Sequence, residues 1–213
     1  MNKFFALFLS FSLILVSSCC SPIIKNKGLR LELLQMAEED QKAIKNSMEQ
    51  ELQEAKRKIG NNYKINKENK DPFQTSLQVL LDNTKRMKEI IKTYGWPTFD
   101  LVGKDGSEAA WLLVQHGDLE LQKMSINLLK SAADINQARK SSYAFLLDRL
   151  LIREGKKQLY GTQLDLKNGE LIPFPIEDEK NVNKRRNEMG MKPLQEYINN
   201  FPKEYIKESF EKK

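Results

Sequence analysis

Beyond residue 20 the chain has no cysteine, and His116 is the only histidine among its 213 residues. Those two scarcities exclude a disulfide within the folded body, a thiolate nucleophile there, and zinc sites of the multi-cysteine or multi-histidine type. The common catalytic signatures are missing too. There is no G-x-S-x-G elbow, P-loop, G-x-G-x-x-G or H-E-x-x-H, and Asp165 to Glu170 lacks the ligand spacing of an EF-hand loop. No cofactor and no metal site is expected. Internal repeats and heptad arrays are absent. Lysine and arginine are not arranged in a stripe interleaved with aromatics, so nucleic acid is not an expected partner.

What is present begins at the N-terminus. A short basic start, Met1-Asn2-Lys3, is followed by an apolar run from Phe4 to Val16 interrupted only by Ser10 and Ser12. This run has the length of a secretory signal core and falls short of the roughly 20 residues that a spanning helix needs. Val16-Ser17-Ser18-Cys19 resembles the bacterial lipobox, in which small residues precede an obligatory cysteine. The resemblance implies a signal peptide over residues 1–18, lipid on the Cys19 sulfur, cleavage before it and acylation, as by palmitate, of the new amino terminus. Cys20 leaves an ambiguity of one residue, and the residues before Cys19 fit better. Several acyl chains anchor stably because each buried CH₂ contributes about 0.8 kcal/mol.

Removing that leader leaves roughly 195 residues, enough for one well-buried domain. The expected organisation is a signal at 1–18, a lipidated tether at 19–27 and one α-rich domain over 28–213. Losing Lys3 takes one unit from the net charge of +6. The remaining charges are interspersed, as on a solvated surface with a weak attraction for anionic head groups.

From Gly28 to Ile59, the spacing of Leu34, Ala37, Ile44, Met48, Leu52, Ala55 and Ile59 predicts one long amphipathic helix, with Gln41, next to Asp40, as a polar interruption of its stripe. Residues 60–72, rich in Asn and Lys, read as a loop. A second helix uses Leu77, Leu80, Leu81, Thr84, Met87 and Ile91 and stops at Tyr94-Gly95-Trp96-Pro97. Ser107 is the expected cap of a third helix ending at Gly117. A fourth carries Leu121, Met124, Leu128, Ala132 and Ile135, and a fifth runs from about Ser142 to Glu154. Residues 158–176 read as a β-hairpin around Asn168-Gly169, with Lys167 opposite Glu170 and with Pro173 and Pro175 at positions that need no N–H donor. A helix with Lys184, Arg185 and Arg186 follows. A last one begins near Pro193 and uses Leu194, Tyr197, Ile198, Phe201 and Tyr205. The fold class is mainly α, a compact helical domain with one hairpin.

Three groups of residues are candidates for chemistry. His116 shares a helix face with Ala109, Leu112 and Leu113, so it points inward, either as a satisfied core residue or as a base. Asp148 is surrounded at helical offsets by Ala144, Phe145, Leu151 and Ile152, and a carboxylate there needs a partner. His116, Arg149, Arg185, Arg186 or backbone can supply one. In Gln158-Leu159-Tyr160-Gly161-Thr162-Gln163, polar and aromatic side chains surround a glycine, a sign of close approach by another group. Convergence of His116 and Asp148 near this strand would make them the catalytic candidates. Arg149, Gln158, Tyr160 and Gln163 are then the ligand-binding candidates, Arg149 for an anionic group.

The blocks Tyr94-Gly95-Trp96-Pro97, Ala110-Trp111-Leu112-Leu113-Val114-Gln115-His116, Asp148-Arg149, Gln158 to Gln163 and Ile176-Glu177-Asp178 with Arg185-Arg186 resemble the signature blocks of a bacterial domain family of unknown function. The similarity runs from about Leu31, through Asp40-Gln41 and Asp82-Asn83, to about Tyr197. It implies a shared fold and a shared polar site, and no activity. The expected function is a lipoprotein of the cell envelope, facing the periplasm or exterior. Its partners would be the membrane, through the anchor, and a small molecule or envelope component bound by the domain. The alternative is a hydrolase or transferase using His116 as general base.

Overall fold

The computed structural model describes residues 23–59, 72–167 and 170–201. The signal and Cys19, the loop at 60–71, the Asn168-Gly169 turn and the chain beyond Phe201, including Tyr205, lie outside the described residues. Seven helices and one antiparallel hairpin make up the described chain, in agreement with the mainly α expectation. In order they are α1 (Lys27–Ile59), α2 (Pro72–Tyr94), α3 (Phe99–His116), α4 (Leu119–Asp134), α5 (Lys140–Arg153), β1 (Leu164–Lys167), β2 (Glu170–Pro173), α6 (Val182–Glu188) and α7 (Leu194–Asn199), with a 3-10 turn at Glu179–Asn181 before α6. No described helix is long and apolar enough to cross a membrane.

The long first helix exists because it has an apolar stripe to bury. Leu29, Leu33, Ala37 and Ala43 are buried, and Asp40 falls on the same stripe with 0% exposure. The expected stripe was displaced by one residue: Gln41 is exposed, and Asp40 is the polar group that turns inward. Periodicity locates a helix face only to within about one residue, since neighbouring positions differ by about 100°. On α2 the expected Met87 and Ile91 are buried, whereas Leu77 and Leu81 are exposed; on α4 the expected Leu121 and Ala132 are buried, whereas Leu128 and Ile135 are exposed and the nearby Leu129 and Ala133 are buried.

Polar contacts fix the directions of the helices. Ser76 Oγ donates to Ala43 O at 2.8 Å, and Arg86 Nε donates to Glu32 Oε1 at 2.5 Å, so α2 runs antiparallel to α1. Arg30 donates from Nε to Asp105 Oδ1 at 2.9 Å and also pairs with Oδ2, and His116 meets Asp40 eleven residues further along α3, so α3 runs parallel to α1. Close approach of α1 and α3 is permitted by Gly106, where an added Cβ would stand 2.9 Å from Val102 Cβ and 3.3 Å from Arg30 Cγ.

Ser107 does not cap α3. Thr98 does, its side chain accepting from Leu101 N, and a kink at Gly103 (φ 77°) interrupts the helix before Ser107. Ser107 is buried because its Oγ accepts from Trp96 Nε1 at 3.2 Å, a long-range contact that a local capping rule does not see. The core is completed by Val102, Ala110, Leu113 and Val114 of α3, Leu121 and Leu129 of α4, and Leu146 and Leu150 of α5. Each such Leu contributes about 1.5–3 kcal/mol through burial.

The hairpin pairs Lys167 with Glu170 and Leu164 with Pro173, the register expected around the Asn168-Gly169 turn. It is narrower than 158–176. Its outer part closes instead through Phe174 N donating to Gln163 O and a bridge between Gln158 and Ile176, leaving residues 158–163 as a loop. An edge-to-face aromatic series, Trp111–Phe145–Tyr197–Phe201, fastens α7 onto α5 and α3.

Candidate functional site

Asp148 and the loop after α5 form one structural unit. The Asp148 carboxylate accepts from Leu159 N at 2.8 Å, Tyr160 N at 3.1 Å, Thr162 N at 3.0 Å and Thr162 Oγ1 at 3.0 Å. Of the partners open to it, backbone is the one it takes. Burial pushes its carboxyl up from the ordinary value, against the opposing pull of these donors. Gly161, with φ 69°, is the residue that turns the loop, and a Cβ there would meet Leu194 Cδ1 at 2.8 Å and Ile176 Cδ1 at 3.0 Å. The close approach signalled by this glycine is therefore made by side chains of the same chain.

The other polar groups of the loop are engaged in the same way. Gln158, with no exposed surface, donates from Nε2 to Gln163 O and Phe174 O and accepts from Gln163 N. Gln163 Nε2 donates to Thr162 Oγ1. Tyr160 is buried, its carbonyl accepting from Arg186 Nη1 at 2.7 Å. Arg186 also donates to Lys192 O and lies over the Tyr197 ring at 4.9 Å, while Arg185 donates to the carbonyls of Leu159, Glu177 and Asp178. Asp148, Gln158, Tyr160 and Gln163 thus hold the loop, the hairpin base and α6 together.

His116 lies outside this network. It is the last residue of α3, and its Nδ1 stands 2.6 Å from Asp40 Oδ2. The expected pairing of His116 with Asp148 is not made: each has a partner of its own. The Asp40 side chain is 1% exposed and the imidazole 25% exposed. An ionised carboxylate can only accept, so on a neutral ring this contact puts the hydrogen on Nδ1 and leaves the lone pair on Nε2. Gln41 Nε2 makes a long contact of 3.4 Å with Asp40 Oδ2. Asp40 Oδ1 is buried with no partner among the described residues. On the facing α2, between the Ser76–Ala43 and Arg86–Glu32 contacts, Asn83 is buried and its Nδ2 also lacks a partner. Unpartnered buried polar atoms of this kind cost about 1–3 kcal/mol each.

One residue earlier on α3, Gln115 turns toward α5. Its Oε1 accepts from Arg149 Nε at 2.5 Å, and its Nε2 is buried without a partner among the described residues. Gln122 of α4 donates to the carbonyls of Gln115 and Gly117, closing the end of α3, and accepts from Arg153 Nη1 at 3.0 Å. The end of α3 therefore carries both a carboxylate–imidazole pair and an amide–guanidinium network. Sequence reasoning named His116 and Arg149 as candidates, while Asp40, Asn83 and Gln115 entered without a role, within the blocks that carry the family resemblance. The available signal for Asp40 was its spacing of three from Ala37 and Ala43 and of seven from Leu33.

An open concavity of about 500 Å³ is lined by Leu151, Lys156, Lys157, Leu159 and Glu177. None of the paired side chains at the end of α3 lines it. Among the described residues no cluster of three or more His, Cys, Asp or Glu is placed to hold a metal ion.

These features define a helical domain with a buried carboxylate orienting one half-exposed imidazole. The chain belongs to the family of unknown function DUF6624, which it matches over residues 27–208. No curated protein and no solved structure matches it.

Proposed function

We propose that the chain is a bacterial envelope lipoprotein, exported by residues 1–18 and held to a membrane through lipid on Cys19, whose domain works through the Asp40–His116 pair. His116 Nε2 serves as general base toward a water or a substrate hydroxyl, which makes the domain a hydrolase or transferase. The observation that carries this reading is the orientation of the half-exposed imidazole by a fully buried carboxylate. Burying a carboxylate costs several kcal/mol unless its bonds offset that cost, and here one of its two oxygens remains unpartnered. A histidine kept only for packing does not require that arrangement; one kept as a base gains a fixed tautomer and a partner for the imidazolium that forms. Among the described residues no hydroxyl is hydrogen-bonded to the imidazole, which favours a base acting on water or substrate over one acting on a protein nucleophile.

Two experiments test the two halves. Labelled palmitate should enter the wild-type protein expressed in bacteria and not Cys19→Ala; equal labelling of both defeats the anchor. For the base, the detergent-solubilised full chain is assayed on nitrophenyl acyl and phosphate esters. His116→Gln should reduce turnover by about 10²- to 10⁴-fold, with Asp40→Asn intermediate and the melting temperature of His116→Gln near that of wild type. Undiminished turnover in His116→Gln contradicts the base. A wild-type protein inert to both probes favours recognition without catalysis.

A further inference from the structure

We infer that Arg149 and Arg153, with the side-chain amide of Gln115, the residue before His116 on α3, form a binding site for an oxyanion, the carboxylate or phosphate group of a small molecule. The inference deepens the proposed function, by naming the substrate class, and rests on that reading only for what happens to the bound group.

The two arginines stand one helical turn apart on α5, so their side chains share a face. Among the described residues, no carboxylate forms an ion pair with either. Neither arginine takes part in any of the ion pairs formed among the described residues. Each is instead held by a neutral amide oxygen, Arg149 Nε by Gln115 and Arg153 Nη1 by Gln122. Those bonds orient the guanidinium groups without neutralising them. The terminal nitrogens of Arg149 have no acceptor among the described residues, which leaves the fork that binds carboxylate or phosphate in a bidentate manner open.

A cation in this position is costly. Arg149 is half-buried, and burial together with the neighbouring Arg153 charge pushes its guanidinium below the ordinary value. An anion seated between the two arginines relieves both effects.

The second observation is independent of charge. Gln115 is 3% exposed, and because Arg149 donates to its Oε1, the amide cannot flip. Its Nε2, on the same carbon as the oxygen that Arg149 holds, is buried and has no partner among the described residues. An unpartnered buried amide donor and two guanidinium groups held only by neutral amide oxygens form a donor set with no anion to receive it among the described residues. The adjoining residue on α3 is His116, whose side chain leaves the helix about 100° further round.

Titration of the full chain with inorganic phosphate and with acetate, followed by isothermal calorimetry at low salt, tests the site. Wild type should show saturable binding of at least one anion, weakened by added sodium chloride. Arg153→Gln, at an exposed position that needs no repacking, and Arg149→Gln should each weaken it about tenfold or more, the loss of one charge-assisted bond. Should Arg149→Gln fail to fold, Arg153→Gln decides alone. His116→Gln should bind the anion as wild type does, so failure of the base leaves the anion site standing. Absence of saturable binding of both anions in wild type, or unchanged affinity in Arg153→Gln, overturns the inference.

Discussion

Replacing Asp148 removes the acceptor around which the 158–163 loop is built. In wild type its two oxygens receive three backbone N–H groups and one hydroxyl. In Asp148→Asn one oxygen becomes an NH₂, and whichever way the amide turns, it faces either Leu159 and Tyr160 or Thr162. One or two buried N–H groups then lose their acceptor, at about 1–3 kcal/mol each. Relief of the burial that strains the wild-type carboxylate offsets part of this, which leaves about 2–3 kcal/mol. Asp148→Ala strips all four donors and opens a small void, so about 4–5 kcal/mol is expected, a large share of the 5–15 kcal/mol that holds an ordinary domain. Urea denaturation followed by circular dichroism measures both variants. With a slope of about 2 kcal/mol per M, the alanine midpoint should fall by about 2 M. Hydrogen exchange should accelerate at the amides of Leu159, Tyr160 and Thr162 before the rest of the domain. An Asp148→Ala midpoint within about 0.3 M of wild type, or exchange unchanged at those amides, would refute the reasoning.

Two further perturbations probe the scaffold. Gly161→Ala forces a Cβ against Leu194 and Ile176 at a positive φ and should cost about 1–3 kcal/mol, read as a lower melting temperature with helix content retained. The hydrogen bond from Arg30 holds the Asp105 carboxyl below its ordinary value, so its contribution is present above the unfolded value of about 3.9 and lost as pH falls through the lower folded value. Asp105→Asn should therefore melt slightly below wild type at neutral pH, and the difference should close in acid; a gap independent of pH contradicts the clamp.

The parts of this fold that local chemistry dictates were legible in the sequence. The hairpin register follows from Asn168-Gly169 and its flanking charges, the stop of α2 from Gly95 and Pro97, and the presence of helices from their periodicity. Asp148 was also legible as a buried carboxylate in need of a partner, because Ala144, Phe145, Leu151 and Ile152 surround it on its own helix. The partners themselves were not. Asp40 and His116 are 76 residues apart, and nothing in either helix specifies which helix it will face. An error of one residue in the α1 stripe was enough to put Gln41 in the place of Asp40. Gln115 was quoted in a block of the resemblance but given no role for a related reason: its meaning comes from Arg149, 34 residues later, and from the lack, among the described residues, of any carboxylate paired with that arginine.

Nuclear magnetic resonance of the imidazole nitrogens tests the Asp40–His116 pair most directly, since His116 is the only histidine and its signals need no assignment against others. On the neutral ring, at the alkaline end of its titration, long-range proton–nitrogen spectra should show Nδ1 protonated and Nε2 bare in wild type, with Nδ1–H preference lost in Asp40→Ala. A wild-type ring that carries its hydrogen on Nε2, or one whose tautomer is the same with and without Asp40, would contradict the account.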